Sequence, residues 1–287
     1  MAVAGFVRVT GDCTRLGQGV GRTMASTPPW EAAPDPSASL DFWPPWKREG
    51  KADRYRYREP YVHEVCVNEE ASSDGGQRNV ALRIEQRAFT TAGFASTVWD
   101  SAIVVAAYLE RHQAWYAQRR GSVELGAGCG LPSCVLSALG MPDVVGTDLA
   151  ENLPLLRSNL DAAAEAAEAA GARGVQPASA MELHWAKPES CARLLAALGG
   201  RSPDLIVCCD TMYGSGFLHE QVETLAALCG RATECLVAYG NNRQGEEAFT
   251  AAAEAHGFSI EAVPAHQLAP SFRPSDVTVL RLRRVEG

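Results

Sequence analysis

The sequence predicts an α/β chain built on a doubly wound, Rossmann-like sheet of seven strands, mostly parallel with the last strand antiparallel, preceded by a β-hairpin. Three observations carry that expectation. Short apolar runs such as Leu205-Ile-Val-Cys-Cys209 alternate with helix-length segments rich in Ala, Leu and Glu, the pattern of buried parallel strands joined by crossover helices. The stretch Ser122-Val-Glu-Leu-Gly-Ala-Gly-Cys-Gly-Leu131, closed by Pro132, reads as a strand, a glycine turn and a helix start. Acids stand at the tips of two runs, Asp148 and Asp210, the end at which open α/β sheets hold ligands.

Composition narrows the function classes. The 287 residues are 46% hydrophobic and 21% charged, an ordinary globular mix with room for one large domain plus appendages. A net charge of −8 argues against a broad phosphate-binding surface, so no nucleic-acid partner is expected. Nine cysteines, without a C-x-x-C pair, suggest a reducing compartment and no metal. No apolar run approaches the about 20 residues of a membrane span. The expectation is a monomer in the cytoplasm.

Residues 1–57 form a segment apart from the domain at 58–287. Pro28, Pro29, Pro34, Pro36, Pro44 and Pro45 break regular structure, while Trp30, Phe42, Trp43 and Trp46 add aromatic surface. Arg8, Arg15 and Arg22 give it a thin likeness to an organellar targeting peptide. Val62–Val67 and Val80–Ile84, separated by Ser72-Ser-Asp-Gly-Gly-Gln77, read as a hairpin. Val104, Val105, Tyr108 and Leu109 recur at helical spacing after Trp99-Asp100, and Asp100 suits the positive end of that helix.

In the glycine turn, Gly126, Gly128 and Gly130 stand at alternate positions. They clear Cβ atoms from the turn, while the helix behind it offers unpaired N–H groups. A dinucleotide fingerprint would place its third glycine at 131, where Leu131 stands. Leu131–Leu139 makes a short helix ended by Gly140, and Val144–Asp148 a second buried strand. Asp148, 20 residues past Gly128, is placed either to accept ribose hydroxyls or to cap the next helix. That helix runs from Glu151 to Ala170 with Gly171 behind it. Residues 178–185 read as a strand ending near Trp185, and Asp204–Cys209 as the next, leading into Asp210-Thr-Met-Tyr213. A helix over Leu218–Cys229 and a strand over Glu234–Gly240 follow, then a helix over Gln244–His256. Two final strands, Phe258–Val263 and Asp276–Arg283, have only a proline-bearing connection between them. Without a crossover helix, that pair is antiparallel at one edge.

Four separated features, Trp99-Asp100, Glu124-Leu-Gly-Ala-Gly-Cys-Gly, Asp148 and Asp210-x-x-Tyr213, together resemble the seven-β-strand (class I) S-adenosylmethionine (AdoMet) methyltransferases. Within that class the likeness is to the protein-lysine methyltransferase subgroup, the methyltransferase-like 21 type, and covers about residues 60–287. The resemblance implies AdoMet as cofactor and a lysine on a protein substrate as acceptor, with arginine, a protein N-terminus or a small amine as alternatives. A non-catalytic AdoMet-binding module is a further alternative. It implies cofactor contacts at Trp99, Glu124, Gly126, Ala127, Gly128, Asp148, Leu149, Trp185 and Cys209. Catalysis would fall to Asp210 and Tyr213, a carboxylate to draw the ammonium and a ring to hold the chain. Arg243 matches an arginine frequent after the fifth strand of related enzymes.

Overall fold

The computed structural model describes residues 59–68, 77–172, 174–212, 216–241, 245–273 and 276–285. The segment 1–57 lies outside the described residues, as do Tyr213 and Arg243. The chain opens with β1 (Tyr61–Asn68) and β2 (Gln77–Ile84), paired antiparallel with Tyr61 opposite Ile84. Val80, Leu82 and Ile84 alternate inward along β2, so the hairpin has one apolar face to bury.

The main sheet is built from β3 (Ser122–Leu125), β4 (Val144–Asp148), β5 (Ser179–Glu182), β6 (Leu205–Cys209), β7 (Glu234–Gly240), β8 (Phe258–Ala262) and β9 (Val277–Arg284). Their order across the sheet is β5-β4-β3-β6-β7-β9-β8. β9 runs antiparallel to both neighbours and inserts between β7 and β8; the other pairings are parallel. This is the expected seven-stranded sheet, and the missing crossover helix before β9 explains its direction. β3 holds β4 on one side and β6 on the other. The chain therefore reverses its march across the sheet at the β3/β6 boundary, opening a crevice at the carboxyl ends of those strands.

Among the described residues, six helices of eight residues or more cover the two faces: α1 (Asp100–Arg111), α2 (Leu131–Ala138), α3 (Leu153–Ala169), α4 (Pro188–Ala197), α5 (Leu218–Leu228) and α6 (Glu246–Ala255). α1, α2 and α3 share one apolar core with the hairpin, whose β2 packs on α3, while α4, α5 and α6 fill the other face. α2 is buried along its whole length. It ends where Gly140 takes φ +80° and Met141 N–H bonds the Leu136 carbonyl at 3.0 Å, a left-handed termination that favours glycine. α4 is an element that the sequence reading passed over. Pro188 at its start, Cys191, Leu194, Leu195 and Leu198 at helical spacing and Gly199-Gly200 behind them are ordinary helix signals.

Candidate active site

The crevice at the carboxyl ends of β3, β4 and β6 is a cleft of about 950 Å³, roomy enough for a cofactor-sized ligand. Trp99, Glu124, Gly126, Ala127, Gly128, Asp148, Leu149, Trp185, Cys209 and Asp210 all line it. They come from five separate places in the chain, and folding brings them to one opening. Tyr213 belongs to the segment beyond Met212 that lies outside the described residues.

The glycine turn is shaped by the protein as much as for a ligand. Gly128 has φ +54°, and a Cβ there would sit 2.6 Å from the Ala95 carbonyl oxygen; a Cβ on Gly130 would meet Leu156 Cδ1 at 2.4 Å. The room freed by these two glycines is thus occupied by the segment before α1 and by α3. Their smallness lets those elements close around the turn and fix it.

Glu124 lies directly below the turn at 3% exposure. Its Oε2 accepts from Ser133 N–H at 2.9 Å and Ser133 Oγ–H at 2.5 Å. Burial pushes its carboxyl up from 4.5 to about 8, outweighing the Ser133 bonds, which favour the charged form. Between those values the unfolded chain has released the proton while the folded chain still holds it. Stability of the ligand-free protein therefore falls as pH rises from about 4.5 to about 8. Glu124→Gln should raise the melting temperature at pH 8 by several degrees and flatten this dependence, as thermal melts between pH 5 and 8.5 will record.

Asp148 holds the turn from the other side. Its Oδ2 accepts from Gly128 N–H at 2.8 Å, and its Oδ1 from Leu149 N–H at 2.8 Å and Asn152 Nδ2–H at 2.7 Å. Asp148 lines the cleft, and through Leu149 and Asn152 it fastens the chain ahead of α3, but it is not the cap of a helix: Leu149 and Asn152 hold those positions, with no side-chain cap bond.

Asp210 follows β6 with φ +52°, a conformation uncommon for a residue with a side chain and one that needs support. Three contacts supply it. The Asp210 N–H donates to the Ala238 carbonyl at 2.8 Å. Ser101 Oγ–H donates to Asp210 Oδ2 at 2.6 Å, and Gly240 N–H approaches Oδ1 at 3.4 Å. Ser101 is fully buried on the first turn of α1, so the carboxylate also faces the positive end of that helix. Trp99, just ahead of α1, donates its Nε1–H to the Phe94 carbonyl at 3.0 Å and leans on the Phe89 and Phe94 rings. Trp185 and the exposed Leu149 add apolar surface to the cleft.

Ser101, Ala95, Phe94 and Phe217 line or brace this site without having been picked out from the sequence. Ser101 stands 109 residues from its partner, and no local pattern announces such a pair. The donor set suits a cationic ligand with a nucleoside. Glu124, Asp148 and Asp210 place carboxyls in the cleft, whereas Lys187 is the one lysine or arginine among the described lining residues. A positive charge near Glu124 would stabilise its charged form and offset the cost of burying it. AdoMet, a sulfonium nucleoside, fits these requirements.

Comparison with known proteins agrees. A family model described as lysine methyltransferase matches residues 77–256, well over half of the chain. The protein-lysine methyltransferase METTL21E of Bos taurus is 28% identical over 214 residues, 63% of this chain and 68% of its own. The protein N-lysine methyltransferase METTL21A of Mus musculus is 32% identical over 149 residues, 51% of this chain and 61% of its own. The protein N-terminal and lysine N-methyltransferase EFM7 of Yarrowia lipolytica is 24% identical over 251 residues, 83% and 88% of the two chains. With its sheet order, its glycine turn and this match in hand, the chain belongs to the lysine methyltransferase family.

Proposed function

We propose that this enzyme methylates the side-chain amine of a lysine on a protein substrate, with Asp210 receiving the acceptor and the cradle around Gly128 holding the cofactor. AdoMet is the cofactor, and when bound it supplies a methyl group activated by its sulfonium. The observation that carries the division of roles is the placement of Asp210 in the same cleft as the glycine turn, its carboxylate fixed by buried Ser101.

The residues act by binding and aiming. Gly126, Ala127 and Gly128 form the wall beside the cofactor, Glu124 supports it from below, and Asp148 is assigned to the ribose. Trp99, Leu149, Trp185 and Cys209 supply apolar contact. The Asp210 carboxylate attracts the lysine ammonium and accepts its hydrogen bond. A lysine attacks only after losing a proton, which passes to water, and its lone pair must then point at the methyl carbon. A fixed carboxylate helps by holding the nitrogen in one place, which is where much of the acceleration of a direct displacement arises. Tyr213 is assigned to hold the lysine chain through its ring.

The acidic balance of the chain supports a protein rather than a nucleic-acid acceptor. Among the described residues no helix is long and apolar enough to cross a membrane, and no cluster of His, Cys, Asp and Glu suited to a metal occurs. A monomer in the cytoplasm completes the proposal. Methylation of a protein N-terminus is the second reading, favoured by the dual activity in the name of the Yarrowia relative.

Transfer of labelled methyl from AdoMet into a cell extract, resolved by gel and by amino-acid hydrolysis, tests the proposal, with Asp148→Ala as control. A discrete band yielding methyl-lysine supports it, and label on an α-amino group selects the second reading. Demonstrated AdoMet binding with no labelled protein overturns both.

A further inference from the structure

Five large hydrophobic side chains are exposed among the described residues, and three of them, Phe94, Leu149 and Phe217, line the cleft. Leu149 has a place beside the cofactor in the reading above. Phe94, at 59% exposure, and Phe217, at 57%, have none. Leaving much of a phenylalanine in water forgoes a good part of the stabilisation its burial provides, and apolar surface gathered at one opening marks an interaction site. The Phe94 ring stacks on Phe89 at 5.8 Å with an interplanar angle of 12° and lies 6.2 Å from Trp99. It is presented by a braced aromatic cluster. Phe217 comes from a different element, immediately before α5.

Charge says what the aromatics receive. Glu220 and Glu223, on the first two turns of α5, line the same cleft, as does Glu151 after β4. Against them stand Lys187 and the exposed His219; His184 is paired with Glu182 at 2.8 Å. With Asp210 included, the surface on offer to an acceptor is two exposed rings set among carboxylates. Such a surface attracts cationic segments and repels acidic ones, and a ring among carboxylates receives either an apolar side chain or a cation over its face.

We propose that Phe94 and Phe217, with Glu220 and Glu223, form the seat of the acceptor: a basic protein segment whose target lysine is accompanied by further Lys or Arg residues and a large apolar side chain. This rests on the lysine methyltransferase reading and goes beyond it by naming the composition of the substrate. The aromatic pair grips the apolar neighbour, and the α5 carboxylates set the preference for surrounding positive charge.

The test uses the full chain, tritiated AdoMet and a cell extract as the acceptor source. Three proteins are compared: wild type, a Phe94→Ala/Phe217→Ala double variant and a Glu220→Lys/Glu223→Lys double variant. AdoMet affinity is measured by calorimetry in parallel. At limiting extract both variants should label at least tenfold less, recover as extract is raised, and bind AdoMet within twofold of wild type. Wild-type labelling should fall between 50 and 300 mM NaCl, whereas labelling by the charge-reversed protein should not. Mass spectrometry should place the methyl-lysines in basic segments containing a large apolar residue. Methylated lysines in acidic segments, wild-type labelling by either variant, or parallel loss of AdoMet binding would each overturn the assignment. So would sedimentation showing a dimer that the Phe variant abolishes, because the rings would then cover a second copy. If wild type binds AdoMet yet labels no protein, the acceptor reading itself fails, a result distinct from all of these.

Discussion

Asp210→Asn is expected to lower methyl transfer by about three orders of magnitude while AdoMet affinity stays within a few-fold. Asparagine is the informative substitution because of the backbone. At φ +52° asparagine is tolerated nearly as well as aspartate, whereas alanine adds strain of its own. Asn also keeps a carbonyl oxygen to accept from Ser101 Oγ–H, so it removes the charge and little else. Asp210→Ala should lose transfer at least as fully, with a lower melting temperature. Ser101→Ala removes the 2.6 Å bond but leaves the carboxylate, and should cost about tenfold in turnover; Ser101→Thr should recover part of it. Rapid quench with labelled AdoMet gives turnover, and calorimetry gives affinity. An Asn variant that transfers at the wild-type rate, or one that no longer binds AdoMet, would remove Asp210 from its assigned role.

The residues legible in advance were those whose signal is local. Glu124 and the three glycines sit in one ten-residue window, and Leu205–Cys209 is so apolar that the acid after it had to lie at a strand tip. Even the direction of β9 followed from a local fact, the lack of a helix between the last two strands. What escaped was written in two places at once. Ser101 becomes significant only when α1 is laid against β6, and Ala95 only when its carbonyl meets Gly128. Phe94 and Phe217 are unremarkable phenylalanines in the sequence; their exposure at one opening is a property of the fold. Helix α4 escaped for a different reason. Its signals are local, but it carries no chemistry, and a reading led by acids and glycines moves past it.

Gly128→Ala is expected to weaken AdoMet binding by roughly a hundredfold, about 2.7 kcal/mol, and to lower the melting temperature by several degrees. Two costs combine. A left-handed backbone carries about 1–2 kcal/mol for a residue with a Cβ, and the new methyl would lie 2.6 Å from the Ala95 carbonyl oxygen. That oxygen belongs to backbone, so relief requires moving the segment before α1 or the turn itself. Either movement pulls on the Gly128 N–H bond to Asp148 Oδ2 and on Phe94 and Trp99, which belong to the displaced segment. Glycine turn, Asp148 and aromatic rim are thus tied to one atom that must be absent. Gly199→Ala separates strain from collision. Its φ is +74°, yet nothing stands within 4 Å of the added Cβ, and it lies behind α4, outside the cleft. It should lose stability and keep AdoMet affinity. Calorimetric titration of both variants, alongside their melts, decides the matter. Equal affinity in the two would mean that the closeness of Ala95 to the turn has no part in holding the cofactor.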